Sequence, residues 1–82
     1  MEIEIITPAE TFPPLEAGAL DVPAVSGRMA LLPGHQPLVC ALEQGRTILE
    51  CSKGRAVWET GAGTLMVHED KVTLLVKSAK QP

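Results

Sequence analysis

Hydrophobic and polar residues alternate along most of this chain. In the opening stretch EIEII, Glu2 and Glu4 alternate with Ile3 and Ile5, so the carboxylates and the isoleucines fall on opposite faces of a strand. Similar short runs follow, each bounded by Gly, Pro or polar residues, as is typical of an all-β protein. The further predicted strands lie in AGALDVPAV, RMALL, PLVCAL, RTILECS, RAVWET, GTLMVH and KVTLLV.

The connections between these strands are short. Lys53-Gly54 and Glu69-Asp70 are predicted hairpin turns, and Glu43-Gln44-Gly45 is predicted to join PLVCAL to RTILECS in the same way. Such spacings leave no room for crossover helices, so we expect the sheets to be antiparallel. The longest helix candidate, around residues 8–15, is broken by three prolines. The predicted fold is a small antiparallel β-sandwich, with residues 1–82 as a single domain.

Two further expectations concern particular segments. Pro23 lies inside a strand-like run and has no N–H for a sheet ladder, which predicts either an edge strand or a bulge there. The closing residues KSAKQP are polar, and we expect them to fray.

Composition narrows the possible partners. The 82 residues carry a net charge of −3, and the seven basic residues are spread along the chain. Nucleic-acid binding needs a concentrated basic face, so it is not expected. No apolar run approaches the ~20 residues of a membrane-spanning helix, and the acidic, alternating start MEIEIITP does not have the pattern of a targeting peptide. The chain is therefore predicted to remain in the cytoplasm without inserting into a membrane.

The chemistry-bearing residues are few and poorly spaced for a site. His35, Cys40, Cys51 and His68 contain neither a C-x₂₋₄-C nor an H-x₃₋₅-H pair, so no metal is expected. No third residue orients a Cys-His pair for nucleophilic catalysis. If PLVCAL and RTILECS pair around Gly45, the two cysteines lie near one another, either as small buried side chains or as a strained disulfide.

The carboxylates, the glycine-rich segment and the tryptophan also predict no active site. The carboxylates mostly alternate with apolar residues, which indicates a solvated sheet face. Gly61-Ala62-Gly63 opens no helix and predicts a close-packed turn or bulge rather than a phosphate site. Trp58 is interpreted either as packing or as an anchor that faces a partner. No catalytic residue and no cofactor is predicted, which leaves a binding or structural module.

The order of several motifs resembles a known family. An opening strand leads into Thr7-Pro8, Phe12 and a strand around LDV follow, and Gly27 precedes LLPGHQPLV, which is similar to a family motif L-P-G-H-x-P-L. ALEQG, GAGTLMV and KVTLLV then follow in the family's order. Over nearly its whole length the chain resembles the N-terminal β-sandwich domain of the epsilon subunit of bacterial and chloroplast-type F-type ATP synthases.

The resemblance implies a role in a rotor. The epsilon subunit belongs to the central stalk, where its sandwich packs against the gamma subunit and the polar loops of the c-ring. It helps to couple ion flow to rotation, and so to ATP synthesis on other subunits, without bond chemistry of its own. The implied location is the peripheral F1 sector at the cytoplasmic face of the bacterial inner membrane.

The resemblance also implies two sets of contact residues. One set faces gamma. A second set, Gly27-Arg28-Met29, lies on the loop that touches the c-ring. The family often has Glu where this chain has Arg28, so a compensating acidic residue is expected on the c-ring loop. The gamma-facing residues implied are Thr7, Pro33, Gly34, His35 and Cys40.

One expected difference from the family concerns the C-terminal helical hairpin. Family members usually continue into a C-terminal helical hairpin that can inhibit ATP hydrolysis and in some members binds ATP. The sequence ends at Pro82, at the domain boundary, either as a natural short form or as a truncation, and in both cases neither nucleotide binding nor self-inhibition is expected of it. There are two alternatives to a rotor subunit. One is an unrelated small β-sandwich that binds a ligand or a protein. The other is a cupin-like enzyme, but the chain has too few metal ligands for one and their spacing is wrong.

Overall fold

Ten strands make up the regular structure of the described part of the chain. The computed structural model describes residues 1–34 and 36–81, and no helix occurs among them. The all-β fold class is therefore confirmed. The strands are β1 Glu2–Ile6, β2 Leu15–Glu16, β3 Ala19–Ala24, β4 Gly27–Leu31, β5 Leu38–Leu42, β6 Gly45–Cys51, β7 Gly54–Thr60, β8 Gly63–His68, β9 Lys71–Val76 and β10 Ala79–Lys80.

The strands form one sheet that curls into two layers. The hydrogen-bonded order is β10-β7-β6-β3-β5-β8-β9-β1-β2, and β4 pairs with β3 beside this path. Strand β3 joins the layers because its first half pairs with β6 and its last residue, Ala24, pairs with Leu42 of β5. The sandwich thus has a β10-β7-β6-β3-β4 layer and a β5-β8-β9-β1-β2 layer.

One ladder is parallel, which differs from the antiparallel expectation. Strand β1 pairs with β9 in parallel, with Ile3 opposite Val72 and Ile5 opposite Leu74. Hairpin spacing constrains only strands that follow one another in the chain, whereas β1 and β9 are its first strand and its ninth. The burial of Ile3 and Ile5 in the core favours the pairing of β1 with β9, but it does so equally for a parallel and an antiparallel arrangement.

Two of the three predicted hairpins are confirmed. Strands β6 and β7 pair with Cys51 opposite Gly54, and Gly54 has φ 127°, a conformation that side chains with a Cβ rarely adopt. Glu69 and Asp70 join β8 to β9 with φ 48° and 63°, the positive values that a type I′ turn requires.

The predicted hairpin around Gly45 is wrong. Strands β5 and β6 do not pair, because β3 lies between them in the sheet. A Cβ on Gly45 would be 3.0 Å from the Pro23 side chain, so β3 packs closely at this point. Cys40 lies opposite Leu65 and Cys51 opposite Gly54, and both thiols are free. The two cysteines are therefore not cross-strand neighbours.

Two segments differ from expectation for reasons of backbone pairing. Strand β3 is central rather than an edge, and Pro23 lies between its pairing with β6 and its pairing with β5, where a missing N–H is tolerated. The tail does not fray up to residue 81, because Ala79 and Lys80 of β10 pair with Thr60 and Glu59 of β7 and cover that edge.

The core fills the space between the two layers. Trp58 is 6% exposed and packs edge-to-face on Phe12 with ring centroids 4.9 Å apart, so it is a packing residue. The hydroxyls of Thr47 and Thr60 satisfy one another at 2.9 Å. The largest fully buried side chains are Ile3, Ile5, Leu20, Val22, Leu31, Thr47, Leu49, Thr60, Leu65, Val72 and Leu74.

The N-terminal ammonium is held inside this fold. It donates to the carbonyl of Ala17 at 2.9 Å, lies 2.8 Å from a carboxylate oxygen of Glu16, and has Asp70 at 3.8 Å. The hydrogen bond to Glu16 raises the pKa of the Met1 ammonium, with burial opposing it and the charges of Asp70 and Glu16 adding to it. The contact anchors the start of β1 to β2.

A decline in stability at alkaline pH is expected from this anchor. A pKa raised on folding gives stability that is fully present below the ordinary value of about 8 and lost as the pH rises through the folded value. Burial also raises the pKa of the Cys40 thiol, which acts in the same direction. Urea unfolding between pH 7 and 9.5 measures the decline. Glu16→Gln should lessen it, and an equal decline in that variant would contradict the role given to Met1.

Candidate interaction surfaces

One outer face of the sandwich contains an uncharged region. Strands β5, β8 and β9 and the end of β1 present aligned residues to solvent there. Val39 is 70% exposed and Leu75 is 40% exposed, although both are large hydrophobic side chains. This region, called the neutral face below, consists of two rows in cross-strand register, Val39-Met66-Thr73 and Ala41-Thr64-Leu75-Ile6. It ends at Glu4, which lies opposite Thr73 and 3.9 Å from Lys71.

The outer face of the other layer has the opposite character. There β6 and β7 place Arg46 opposite Glu59 and Glu50 opposite Arg55, with an Arg55–Glu50 ion pair at 2.8 Å. Charged, cross-paired residues of this kind suit a solvated face. A group of exposed apolar side chains on one sheet is typical of a surface that contacts another protein.

A hollow extends the neutral face at one end. It has a volume of about 420 Å³ and a predominantly apolar lining that includes Ile6, Pro8 and Leu75. Thr7, predicted to face gamma, lies on its rim. The Thr7 hydroxyl is hydrogen-bonded to the backbone of Glu10 in a tight turn, so this residue shapes the rim.

The Pro33-Gly34 corner lies at the other end of the same layer. The N–H of Gly34 donates to Asp70 in the β8–β9 turn at 3.2 Å, and Pro33 is exposed. Thr7 therefore lies at one end of this layer, beside the neutral face, whereas Pro33 and Gly34 lie at the β8–β9 turn, beyond His68 and Lys71. His35 lies outside the described residues, so its predicted role at gamma stays a prediction.

Cys40 lies on the inner side of β5. It shares a row with Leu65, Leu74 and Ile5, and its side chain packs against the core. Because burial raises the pKa of the Cys40 thiol, the group is protonated at neutral pH and is a poor nucleophile. Its neighbour Val39 is the residue that alternation turns outward. Sequence reasoning missed Val39, because PLVCAL is apolar at inward and outward positions alike.

The predicted c-ring residues form one β-hairpin. Gly27 begins β4 with φ 126°, Met29 is half-buried against the core, and Arg28 is exposed beside them. Val25, Ser26 and Gly27 form the tip of this hairpin. Val25 is 60% exposed, and its N–H donates to the carbonyl of Ala41 at 3.0 Å. The tip therefore starts at the β5 border of the neutral face.

The remaining chemistry offers no grouped site. Within residues 1–34 and 36–81, no cluster of three or more His, Cys, Asp or Glu side chains could hold a metal ion. The same residues contain no helix long and apolar enough to cross a membrane. What the fold does present is a small β-sandwich with an exposed apolar face, which places the chain in the class of protein-interaction modules.

Comparison with known families is specific. Residues 1–82 match the family model described as ATP synthase, Delta/Epsilon chain, beta-sandwich domain. The chain belongs to this family, which excludes the alternative of an unrelated sandwich. The ATP synthase epsilon chain of a Nostoc species is 32% identical, over 99% of this chain and 61% of the relative. This chain thus spans about three-fifths of the length of such relatives.

Solved structures share the fold. A chain of the Euglena gracilis mitochondrial ATP synthase, solved as OSCP/F1/c-ring, superposes with a TM-score of 0.86 at 20% identity, covering 96% of this chain and 51% of that one. A chain of the Tetrahymena thermophila mitochondrial ATP synthase, solved as central stalk/c-ring, gives 0.81 at 11% identity, covering 98% and 65%. The predicted β-sandwich is therefore a fold that experimentally determined structures also contain.

Proposed function

We propose that this chain is a non-catalytic module of the central stalk of an F-type ATP synthase. It packs against the gamma subunit and the c-ring loops, and so helps to couple ion translocation to ATP synthesis on other subunits. Its location is the peripheral F1 sector, at the cytoplasmic face of a bacterial inner membrane. Membership of the delta/epsilon family and the stalk assemblies that contain chains of this fold support the role.

The observation that carries the proposal is the neutral face. Val39 and Leu75 expose apolar surface in neighbouring rows of the sheet. On the opposite outer face, Ile48 and Val57 lie between two pairs of opposite charge, Arg46–Glu59 and Glu50–Arg55. A rotor subunit transmits torque, so its contact needs an extended rigid surface, and a hydrogen-bonded sheet is such a surface. Gamma is the partner assigned to this face, with Thr7 at its border and the Pro33-Gly34 corner farther along the same layer, at the β8–β9 turn.

The hairpin between β3 and β4 is the second contact. Its tip, formed by Val25, Ser26 and Gly27, projects from the β5 border and is exposed. The c-ring loops are the partner assigned to it. Two separate surfaces allow one small domain to contact gamma and the c-ring at the same time.

Co-purification with gamma tests the proposal. The chain is co-expressed with a tagged gamma subunit from the same genome, purified on the tag and weighed by native mass spectrometry. We expect a one-to-one complex. The two rows of the neutral face contain no charged side chain. The dissociation constant of the complex should therefore change less than about threefold between roughly 0.05 and 0.5 M salt. Failure to recover the chain with gamma, beside a tag-only control, would contradict the proposal.

A further inference from the structure

All three guanidinium nitrogens of Arg28 are engaged within the chain. Nε donates to Oδ1 of Asp21 at 2.9 Å, and Nη2 lies 2.9 Å from the same oxygen. Nη1 donates to the backbone carbonyl of Arg46 at 2.7 Å. Nη2 also donates to the backbone carbonyl of Asp21 at 3.4 Å, so the charge of Arg28 is already met inside the chain by one carboxylate and two carbonyls.

The Arg46 carbonyl has a reason to need this donor. Asp21 of β3 pairs with Ile48 of β6, and the same register continued by two residues brings Pro23 opposite Arg46. Proline has no N–H, so β3 offers no ladder bond from that residue. The Arg28 side chain reaches across from β4 and supplies a donor at this point of the sheet.

The contact also ties together three strands. Strand β4 pairs with β3 alone, so without side-chain contacts only the β3–β4 ladder would hold the hairpin. Arg28 links β4 to Asp21 on β3 and to Arg46 on β6. A planar guanidinium suits such a bridge because its donors point in fixed directions, whereas an ammonium is a single point of charge.

We propose that Arg28 is a positioning residue that fixes the hairpin tip relative to the sandwich. Its charge is used by Asp21 and the Arg46 carbonyl rather than offered to a partner. The surface left to a partner is the uncharged tip of Val25, Ser26 and Gly27, so a c-ring loop needs no acidic residue opposite Arg28. The identity of that partner rests on the proposed function; the positioning role does not.

Amide hydrogen exchange on the isolated chain tests the positioning role. The reporters are the N–H of Val25, which donates to Ala41, and the N–H of Glu43, which donates to Pro23. Arg28→Gln and Asp21→Asn should each speed their exchange about tenfold, because the first removes the guanidinium donors and the second removes the charge of the group that accepts from them. The double variant should be no faster than the faster single variant, since both changes break one unit.

A second ion pair provides the matched control. Arg55 and Glu50 are also exposed and lie 2.8 Å apart, close to the 2.9 Å of the Arg28–Asp21 pair, but they lie on the β6–β7 ladder, away from the tip. Arg55→Gln should leave the Val25 and Glu43 amides unchanged. Arg28→Lys should restore only part of the protection, because one ammonium cannot match the fork. Unchanged exchange in Asp21→Asn, an equal effect of Arg55→Gln, or full protection in Arg28→Lys would overturn the proposal.

Binding to a gamma–c-ring subcomplex separates this inference from the proposed function. Arg28→Gln should weaken binding by about tenfold at low and at high salt alike, because tip order is lost rather than an ion pair across the interface. A loss that disappears at high salt would overturn the positioning role. If wild type and variant both fail to bind while the exchange results hold, the proposed function fails and the positioning role stands.

Discussion

Replacing Gly63 with alanine is expected to lower the free energy of unfolding by about 3 kcal/mol. A Cβ at this residue would fall well inside contact distance of the Leu75 carbonyl oxygen and 2.8 Å from Cα of Val76. Both are backbone atoms of β9, so no side chain can move aside, and the first pairs of the β8–β9 ladder must separate. Thermal unfolding should show a Tm lower by roughly 12–24 °C.

Gly18 provides the matched control for this prediction. A Cβ there has an ordinary 3.9 Å contact with the carbonyl of Glu50, and the residue does not have a positive φ. Gly18→Ala should therefore change the free energy of unfolding by less than about 0.5 kcal/mol. A Gly63→Ala variant as stable as Gly18→Ala in urea and heat would show that β8 and β9 are not in close contact at this point. An 82-residue domain has a free energy of unfolding of about 4–12 kcal/mol, so the expected loss is a large fraction of the total stability.

The strands were predictable because their signal is local. Alternation such as Ile3 and Ile5 against Glu2 and Glu4 is written in neighbouring residues, and so are the turn residues at Gly54. The pairing of β1 with β9 is not local, because it joins strands separated by most of the chain. Nothing in the opening strand specifies a partner or a direction, and the partner is fixed only when the core closes.

Pro23 illustrates how a sound local rule can give a wrong placement. The missing N–H does exclude an ordinary ladder position, and the sequence prediction used that rule. An edge was one solution, but the fold uses another, since β3 changes partner from β6 to β5 beside Pro23. The same change of partner inserts β3 between β5 and β6, so the expected hairpin at Gly45 cannot form.

The candidate surface was predictable only in part. The family resemblance led to Thr7, Pro33 and Gly34, which the fold brings to the borders of one sheet layer. It also led to Cys40, whose side chain the pleat turns inward. Val39 was missed because an apolar residue in a strand is ordinarily assigned to the core. Register across β8 and β9 is what reveals it as part of an exposed row, and register is not visible in one sequence.

Val39→Glu is expected to weaken binding to the gamma subunit by at least about 30-fold, which corresponds to ~2 kcal/mol. The side chain is 70% exposed in the free chain, so the carboxylate is hydrated there and folding is little affected. In the complex the same carboxylate would lie in an uncharged contact, with Met66 as its cross-strand neighbour, and lose its water without gaining a partner. Titration calorimetry against purified gamma measures the loss.

The charged outer face supplies the control for this experiment. Val57 lies opposite Ile48 on β6 and alternates with the buried Trp58, so it points away from the core among Arg55 and Glu59. Val57→Glu makes the same chemical change on the other layer and should alter gamma affinity by less than about threefold. Equal losses in the two variants would mean that a general effect of charge or stability is being measured. A loss in Val57→Glu alone would assign gamma to the charged face, because only a contacted residue can lower the affinity while the chain remains folded.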